Sequence, residues 1–174
     1  MSSEQILENG LRLRTLRDKI DIQKYIEFNS TYNNPNEGRN TALLVQHYPG
    51  ARLENFWLVE QPASGEIVAT TCLIPWEMRF EGVPLRAAQM EQVLSHPEYR
   101  RQGLIRTLVR CFIQAVQQRS YDLSFIWGIP YYYRQYGYAY AIPGNRSESL
   151  PAARIPDASR EDNPAYTFRR AVAS

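Results

Sequence analysis

Cysteine, lysine and histidine are all scarce in this chain, and each shortage removes a class of function. Cys72 and Cys111 are the two cysteines; both lie in apolar surroundings without CxxC or Cys/His spacing, which points to reduced core thiols rather than a disulfide framework or a zinc site. The two histidines, His47 and His96, have no ligand-like spacing, so no metal is implied. No apolar run approaches the roughly 18–20 residues of a membrane span. The opening MSSEQILENGLRLR lacks the basic start and apolar centre of a secretory leader, so a cytoplasmic location without membrane attachment is the expectation. An excess of one charge sign is also missing. The net charge of +2 is too small to advertise nucleic-acid binding. Lys19 and Lys24 are the only lysines, so the positive charge is nearly all arginine, whose planar fork suits phosphates, carboxylates and surface ion pairs alike.

What is present suffices for one globular core. A chain of 174 residues with 44% hydrophobic content buries about two thirds of its unfolded surface and needs no covalent staple. Alternation over residues 11–16 predicts a strand, and Ile20, Ile22, Ile26 and Phe28 predict a helix over 18–32. The polar stretch NNPNEGRN, residues 33–40, reads as a movable loop that breaks this helix before TALLVQHY starts a second short one. FWLVE and EIVATTCLI, separated by QPASG, predict an antiparallel hairpin, and EMRFEGVPLRAAQMEQVLS a second one turning at Glu81 and Gly82. From Gly103 to Arg119 the apolar residues follow the 3.6-residue period closely, a helix. LSFIWGI has the length of a strand covered on both faces. YYYRQYGYAYAI predicts a short helix stopped at Gly137 and then another strand. Beyond Pro143 the sequence is rich in proline, serine and charge, with one or two final short strands expected on an extended tail. The sum is an α/β (α+β) fold: a curved, mostly antiparallel sheet flanked by helices, with one parallel strand–helix–strand unit around residues 90–129.

Chemistry concentrates at the mouth of the 103–119 helix, in SHPEYRRQGLIRTLV. A first helical turn exposes unpaired N–H groups at the positive end of the macrodipole and attracts phosphate. Gly103 permits close approach, and Arg100 and Arg101 can add charge-assisted hydrogen bonds. The rival reading is a plain glycine-containing βα turn with solvated arginines.

VLSHPEYRRQGLIRTLV resembles the acyl-CoA motif of the GNAT superfamily of N-acetyltransferases, Arg/Gln-x-x-Gly-x-Gly/Ala, which falls here on Arg100, Gly103 and Ile105. Ile105 departs from the small residue at the last position. The wording around His96 and Pro97, together with YYYRQYGYAYA, is most similar to the N-terminal domain of Eis-like (enhanced intracellular survival) acetyltransferases. That resemblance implies a GNAT fold and acetyl-CoA as cosubstrate. It also implies a pyrophosphate held at Arg100, Arg101, Gln102, Gly103, Leu104 and Ile105, and a pantetheine pairing like a strand with the backbone of Val93, Leu94 and Ser95. Strand addition of this kind uses main-chain groups, so the side chains there matter little. The resemblance further implies a GNAT domain over residues 1–145, with 146–174 as an extension that starts a second domain: YTFRRAVAS resembles the first strand of such a repeat.

In the same family a tyrosine four residues before the helix-ending glycine often protonates the departing sulfur, and here that residue is Tyr133. A phenol of pKa about 10 is a weaker acid than a thiol of about 8.5, so full transfer is uphill by roughly 2 kcal/mol, and hydrogen-bond stabilisation is the larger contribution. Six tyrosines crowd residues 131–140, and Tyr131, Tyr132 or Tyr136 compete for the role as long as packing is unknown.

An acceptor amine must be neutral to attack. A lysine-like amine of pKa about 10.4 is about 3.4 units from pH 7, a penalty of roughly 4.6 kcal/mol. Glu91 is the candidate base. Simple alternation places it on one face with Gln89, Val93 and Ser95; an exposed or ion-paired strand glutamate is the alternative. His96 reads as structural, and Trp57, Trp76 and Trp127 as core or pocket wall. The expected activity is direct acetyl transfer from CoA to a primary amine of a small molecule or peptide: an aminoglycoside, a polyamine or a lysine. A non-catalytic acyl-CoA-binding module would keep Arg101 and Gly103 without needing Tyr133 or Glu91. Single-strand nucleic-acid binding through tyrosines and arginines is a third option, opposed by the charge balance. A homo-oligomer is compatible with all of these.

Overall fold

In a computed structural model of the protein, residues 4–141 are described. Six strands form one sheet in sequence order: β1 (Gln5–Ile6), β2 (Arg12–Thr15), β3 (Phe56–Glu60), β4 (Ile67–Phe80), β5 (Val83–Ser95) and β6 (Leu123–Phe125). Every neighbouring pair is antiparallel except β5 and β6, which run parallel through the crossover helix α3 (Leu104–Gln118). The mixed sheet with one parallel unit is the architecture that the hairpin and helix patterns predict. No helix of the described residues is long and apolar enough to cross a membrane.

Each sheet face carries its own core. On one face Leu13, Val59, Leu73, Ala88 and Met90 pack against the α3 stripe of Leu104, Leu108, Val109 and Phe112. On the other, Leu58, Phe56, Cys72 and Ile74 meet Tyr25 and Phe28 of α1 (Lys19–Tyr32). Asp18 caps α1 by accepting the N–H groups of Ile20 and Asp21. The buried stripe of α1 is Asp21, Tyr25, Phe28 and Asn29, whereas Ile20 is 69% exposed. Two of those four residues are polar; of the predicted apolar positions Phe28 is buried and Ile22 and Ile26 are half-buried, so the spacing finds the core side at all but Ile20. Asp21 joins Arg14 and Glu60 in a buried ion network: Arg14 Nη1 meets Asp21 Oδ2, and Arg14 Nη2 meets Glu60 Oε2, both at 2.6 Å.

Three expectations are corrected. The segment over 33–40 is not a movable loop: α2 spans Pro35–His47. Asn34 caps it by accepting the Glu37 N–H, Pro35 occupies the first turn, and Gly38 lets α2 approach α1 so closely that a Cβ there would lie 2.6 Å from Ser30 Cβ. The apolar run over 123–129 is no fully covered strand: only Leu123–Phe125 pairs with β5, and Leu123 is 36% exposed. Residues 138–141 carry no strand after Gly137. The extension beyond residue 145 and its proposed strands lie outside the described residues.

Candidate active site

The helix mouth is built by two left-handed residues in quick succession, Arg101 (φ 63°) and Gly103 (φ 76°). Gly103 is the N-cap of α3, and no side chain caps the first turn, so its N–H groups stay available. A Cβ on Gly103 would meet nothing within 4 Å. The glycine is required by its φ and leaves the approach to the backbone open. Arg100, Arg101 and Gln102 are exposed, and Gln102 Oε1 accepts a long hydrogen bond from Asn9 Nδ2 at 3.3 Å. Leu104 is buried and Ile105 packs against the same core, so only their backbone is offered to the mouth. The bulk of Ile105 is therefore turned inward and does not obstruct an anion.

Beside the mouth, β5 outruns its parallel neighbour. Pairing with β6 ends at Gln89, while β5 continues to Ser95 against β4 alone. The backbone of Val93, Leu94 and Ser95 thus has a strand on one side only. A bulge at Gln92, φ 57°, interrupts the β4–β5 register between Thr70 and Cys72. The Thr70 and Thr71 hydroxyls donate to the Gln92 and Glu91 carbonyls and hold it. The extra residue reverses the alternation. Val93 joins the α3-side core with Met90, while Gln89 and Glu91 line a groove beside α2. The expectation that Gln89, Glu91, Val93 and Ser95 share a face is corrected by this bulge.

Glu91 and Tyr133 line one cavity of about 210 Å³. Burial pushes the Glu91 carboxyl up from the ordinary range; a hydrogen bond from Gln89 Nε2 at 2.6 Å opposes this, and the like charge of Glu37 adds to it. Gln89 is itself oriented by Trp76, whose indole N–H donates to Gln89 Oε1 at 2.7 Å. Tyr133, on the short 3-10 helix Tyr132–Tyr136, is 8% exposed. Burial first, then the neighbouring Tyr132 and Glu91, push its phenol well above the ordinary value. The other candidates are placed differently: Tyr132 and Tyr131 are 37% and 70% exposed, and Tyr136 is half-buried against the α3-side core and does not line the cavity. Tyr133 is the buried tyrosine of its helix and the one that lines the cavity.

The family model for the acetyltransferase (GNAT) domain matches residues 14–141. The chain belongs to the GNAT acetyltransferase family. Solved structures share the GNAT fold at low identity. A Trypanosoma brucei acetyltransferase is 17% identical, with 80% of this chain and 99% of that one covered at a TM-score of 0.60. A predicted acetyltransferase of Clostridium acetobutylicum, with acetyl-CoA, is 13% identical over 84% of this chain and 99% of that one, TM-score 0.62. Eis1 of Mycobacterium abscessus is 16% identical over 74% of this chain, which spans 31% of that protein, TM-score 0.54. No curated protein matches the chain.

GNAT acetyltransferases use acetyl-CoA, and the residues of this GNAT domain fit it at two points already described: the uncapped α3 mouth at Gly103 and the half-paired β5 end. Among the described residues no group of three His, Cys, Asp or Glu could hold a metal ion. Both thiols are pushed up by burial, Cys72 completely enclosed and Cys111 half-buried. His96 caps the 3-10 turn Pro97–Tyr99, its Nδ1 accepting the Glu98 N–H, with its ring against Tyr32 and Tyr99. Trp57 is core, whereas Trp76 and Trp127 are pocket walls. Sequence reasoning missed Asn29, Glu37 and Gly128 around the same cavity. Only Gly128 carried a local signal, a glycine ending an apolar run, and its meaning depends on Tyr133 packing against it.

Proposed function

We propose that this GNAT domain moves an acetyl group from acetyl-CoA directly to the nitrogen of a primary amine. The observation that carries this reading is that Glu91 and Tyr133, remote in sequence, line one small cavity that also includes Val93 and Leu94 of the half-paired β5 end. Arg100, Arg101 and Gln102, with the backbone of Gly103, Leu104 and Ile105, are assigned to the pyrophosphate. The backbone of Val93, Leu94 and Ser95 is assigned to the pantetheine. Acetyl-CoA supplies the acyl group, activated as a thioester. Glu91 accepts the proton that the amine nitrogen sheds as its bond to carbon forms, a task suited to a carboxylate whose basicity is raised by burial. The Tyr133 hydroxyl donates a hydrogen bond to the sulfur as the carbon–sulfur bond breaks. Because its phenol is a weaker acid than usual, stabilisation of the thiolate rather than complete proton transfer is its contribution.

Within the family we place the chain with the Eis-like branch, on Arg100, Arg101, Gly103 and the tyrosine-rich 3-10 helix. On the same ground we assign residues 1–145 to the GNAT domain and 146–174 to the approach to a further one. The Eis1 structure, of which this chain spans 31%, supports the comparison at the level of fold.

Calorimetric titration with acetyl-CoA, paired with free-thiol release over a panel of amines, tests the reading. Binding with turnover on primary amines is the expected result. Binding without turnover on any amine would make this a non-catalytic acyl-CoA-binding module. Binding unaffected by Gly103→Glu would remove the assigned pyrophosphate site.

A further inference from the structure

The cavity that unites Glu91 and Tyr133 has a second acidic wall that the transfer reaction leaves idle. Glu37, in the first turn of α2, lines this cavity and also the adjoining groove of about 560 Å³, and Glu91 and Gln92 are common to both. The two carboxylates are close enough for Glu37 to raise the energy of ionised Glu91. Neither forms an ion pair among the described residues, whose bridges all lie elsewhere. The hydrogen bonds to the Glu37 carboxylate are long: Gln92 Nε2 at 3.4 Å and Asn40 Nδ2 at 3.5 Å. Thr41 Oγ1 lies 2.6 Å from both Gln92 Oε1 and the Glu37 carbonyl oxygen, so its single proton is shared between them. Among the described residues no lysine or arginine lines either space, and the basic side chain present is His47 in the wall of the larger groove. Two carboxylates, Glu91 and the half-buried Glu37, thus share one space without a paired cation among the described residues.

Asn29 supplies an independent observation. It lines the same cavity, is 1% exposed, and its Oδ1 has no hydrogen-bond donor among the described residues. The amide cannot be turned to relieve this, because Nδ2 already donates to the Tyr25 carbonyl at 2.9 Å and a flip would set two oxygens against each other. Buried acceptors left without a donor are rare in native proteins. Glu37 and Asn29 therefore both present oxygen acceptors to one space. An ammonium group, with three N–H donors, no acceptor and a positive charge, is their complement.

We propose that the acceptor is a diamine: one amino group is acetylated between Glu91 and Tyr133 while the second, still protonated, docks against Glu37 and Asn29. The proposal rests on the amine-acetyltransferase reading given above and adds the second cation to it. Glu37 and Asn29 are thereby specificity residues, not part of the proton-transfer machinery.

The test compares butylamine with 1,4-diaminobutane and hexylamine with 1,6-diaminohexane as acceptors for the full chain. In the wild-type protein the KM for each diamine is expected at least tenfold below that of its monoamine, and this comparison needs no variant. Glu37→Gln is expected to raise the diamine KM about tenfold relative to that of the monoamine; loss of its charge also eases ionisation of Glu91, an effect on kcat that both acceptor classes share. Equal KM for mono- and diamines, or a Glu37→Gln effect on KM of the same size for both, overturns the proposal. If neither class is acetylated, the function proposed above fails, and the subsite is then read by calorimetry alone. 1,4-Diaminobutane titrated into CoA-saturated protein should bind more than tenfold more tightly than butylamine, and lose that advantage in Glu37→Gln. Absence of diamine binding by the wild type overturns the subsite. An unchanged melting temperature and acetyl-CoA affinity in Glu37→Gln show that the variant is folded.

Discussion

Tyr133 lies directly on the backbone of Gly128: a Cβ at position 128 would stand 2.5 Å from both Cδ2 and Cε2 of the ring. The glycine is not needed for a left-handed turn, since its φ is ordinary; it is needed because the aromatic ring occupies the space of a side chain. Gly128→Ala is therefore expected to push the phenol out of the cavity. Misplacement on the ångström scale costs on the order of 10²-fold in rate. Thiol release should fall accordingly while the acetyl-CoA dissociation constant stays within about twofold. Tyr133→Phe should give the same pattern without disturbing the ring. Matching losses of affinity in both variants would show that Tyr133 holds the cosubstrate rather than assists the leaving sulfur.

At Gly103 the expected outcome is the reverse. Gly103→Glu places a carboxylate where the α3 mouth is open to an anion, so acetyl-CoA binding should disappear from a calorimetric titration. Gly103→Ala isolates the backbone effect. Its Cβ meets no neighbour, but φ 76° costs an L-residue about 1–2 kcal/mol, visible as a lower denaturation midpoint.

Proton acceptance by Glu91 fixes the sign of a pH dependence. The carboxylate must be ionised to act, and burial raises its pKa, so kcat/KM should rise with pH along a limb centred above the ordinary glutamate value of about 4.3. Gln89→Leu removes the 2.6 Å hydrogen bond to the charged form and should move the limb to higher pH. Trp76→Phe releases the Gln89 amide from the indole and should shift it the same way by a smaller amount. Glu91→Gln should abolish the limb and lower kcat by about 10²-fold. A limb that persists in Glu91→Gln would assign the base elsewhere.

Stability in acid is governed by a different group of charges. Burial by itself would push the Glu60 and Asp21 carboxyls up, but hydrogen bonds from Arg14, with Arg12 also on Glu60, outweigh it and hold both below the ordinary range. Carboxylates with depressed folded-state values stabilise the fold above their unfolded pKa of about 4, and that contribution is lost as pH falls through the folded values. Arg14→Met strands the buried Asp21 carboxylate and leaves Glu60 with Arg12 alone, and should cost about 3–5 kcal/mol in urea denaturation at pH 7. The loss should shrink as the pH is lowered through the carboxylate range.

The helix α3 and its mouth were legible in the sequence because both depend on local rules. The apolar period runs unbroken from Leu104 to Val116, and a glycine before it marks a conformation that other residues avoid. The hairpins were legible for the same reason. The stretch over 33–40 was misread because its asparagines and glycine are turn formers in general, whereas here Asn34 caps a helix and Gly38 admits Ser30 of α1. The run over 123–129 was misread because apolarity was taken for burial in a sheet. Only Leu123–Phe125 pairs, and Trp127, Gly128 and Ile129 leave the sheet to wall the cavity. Glu91 was reached by counting alternate residues, and the bulge at Gln92 shows that the count does not continue past it.

By itself the sequence determined the helix periods, the turn positions and the anion-ready α3 mouth, since each follows from the backbone preferences and hydrophobic spacing of residues within a few turns of one another. Which tyrosine stands near Glu91, which way β5 faces after its bulge, and the meeting of Asn29, Glu37 and Glu91 around one cavity were decided only in the tertiary structure. Those relations join residues of separate elements, and their chemistry arises from shared burial and neighbouring charge, which no local pattern encodes.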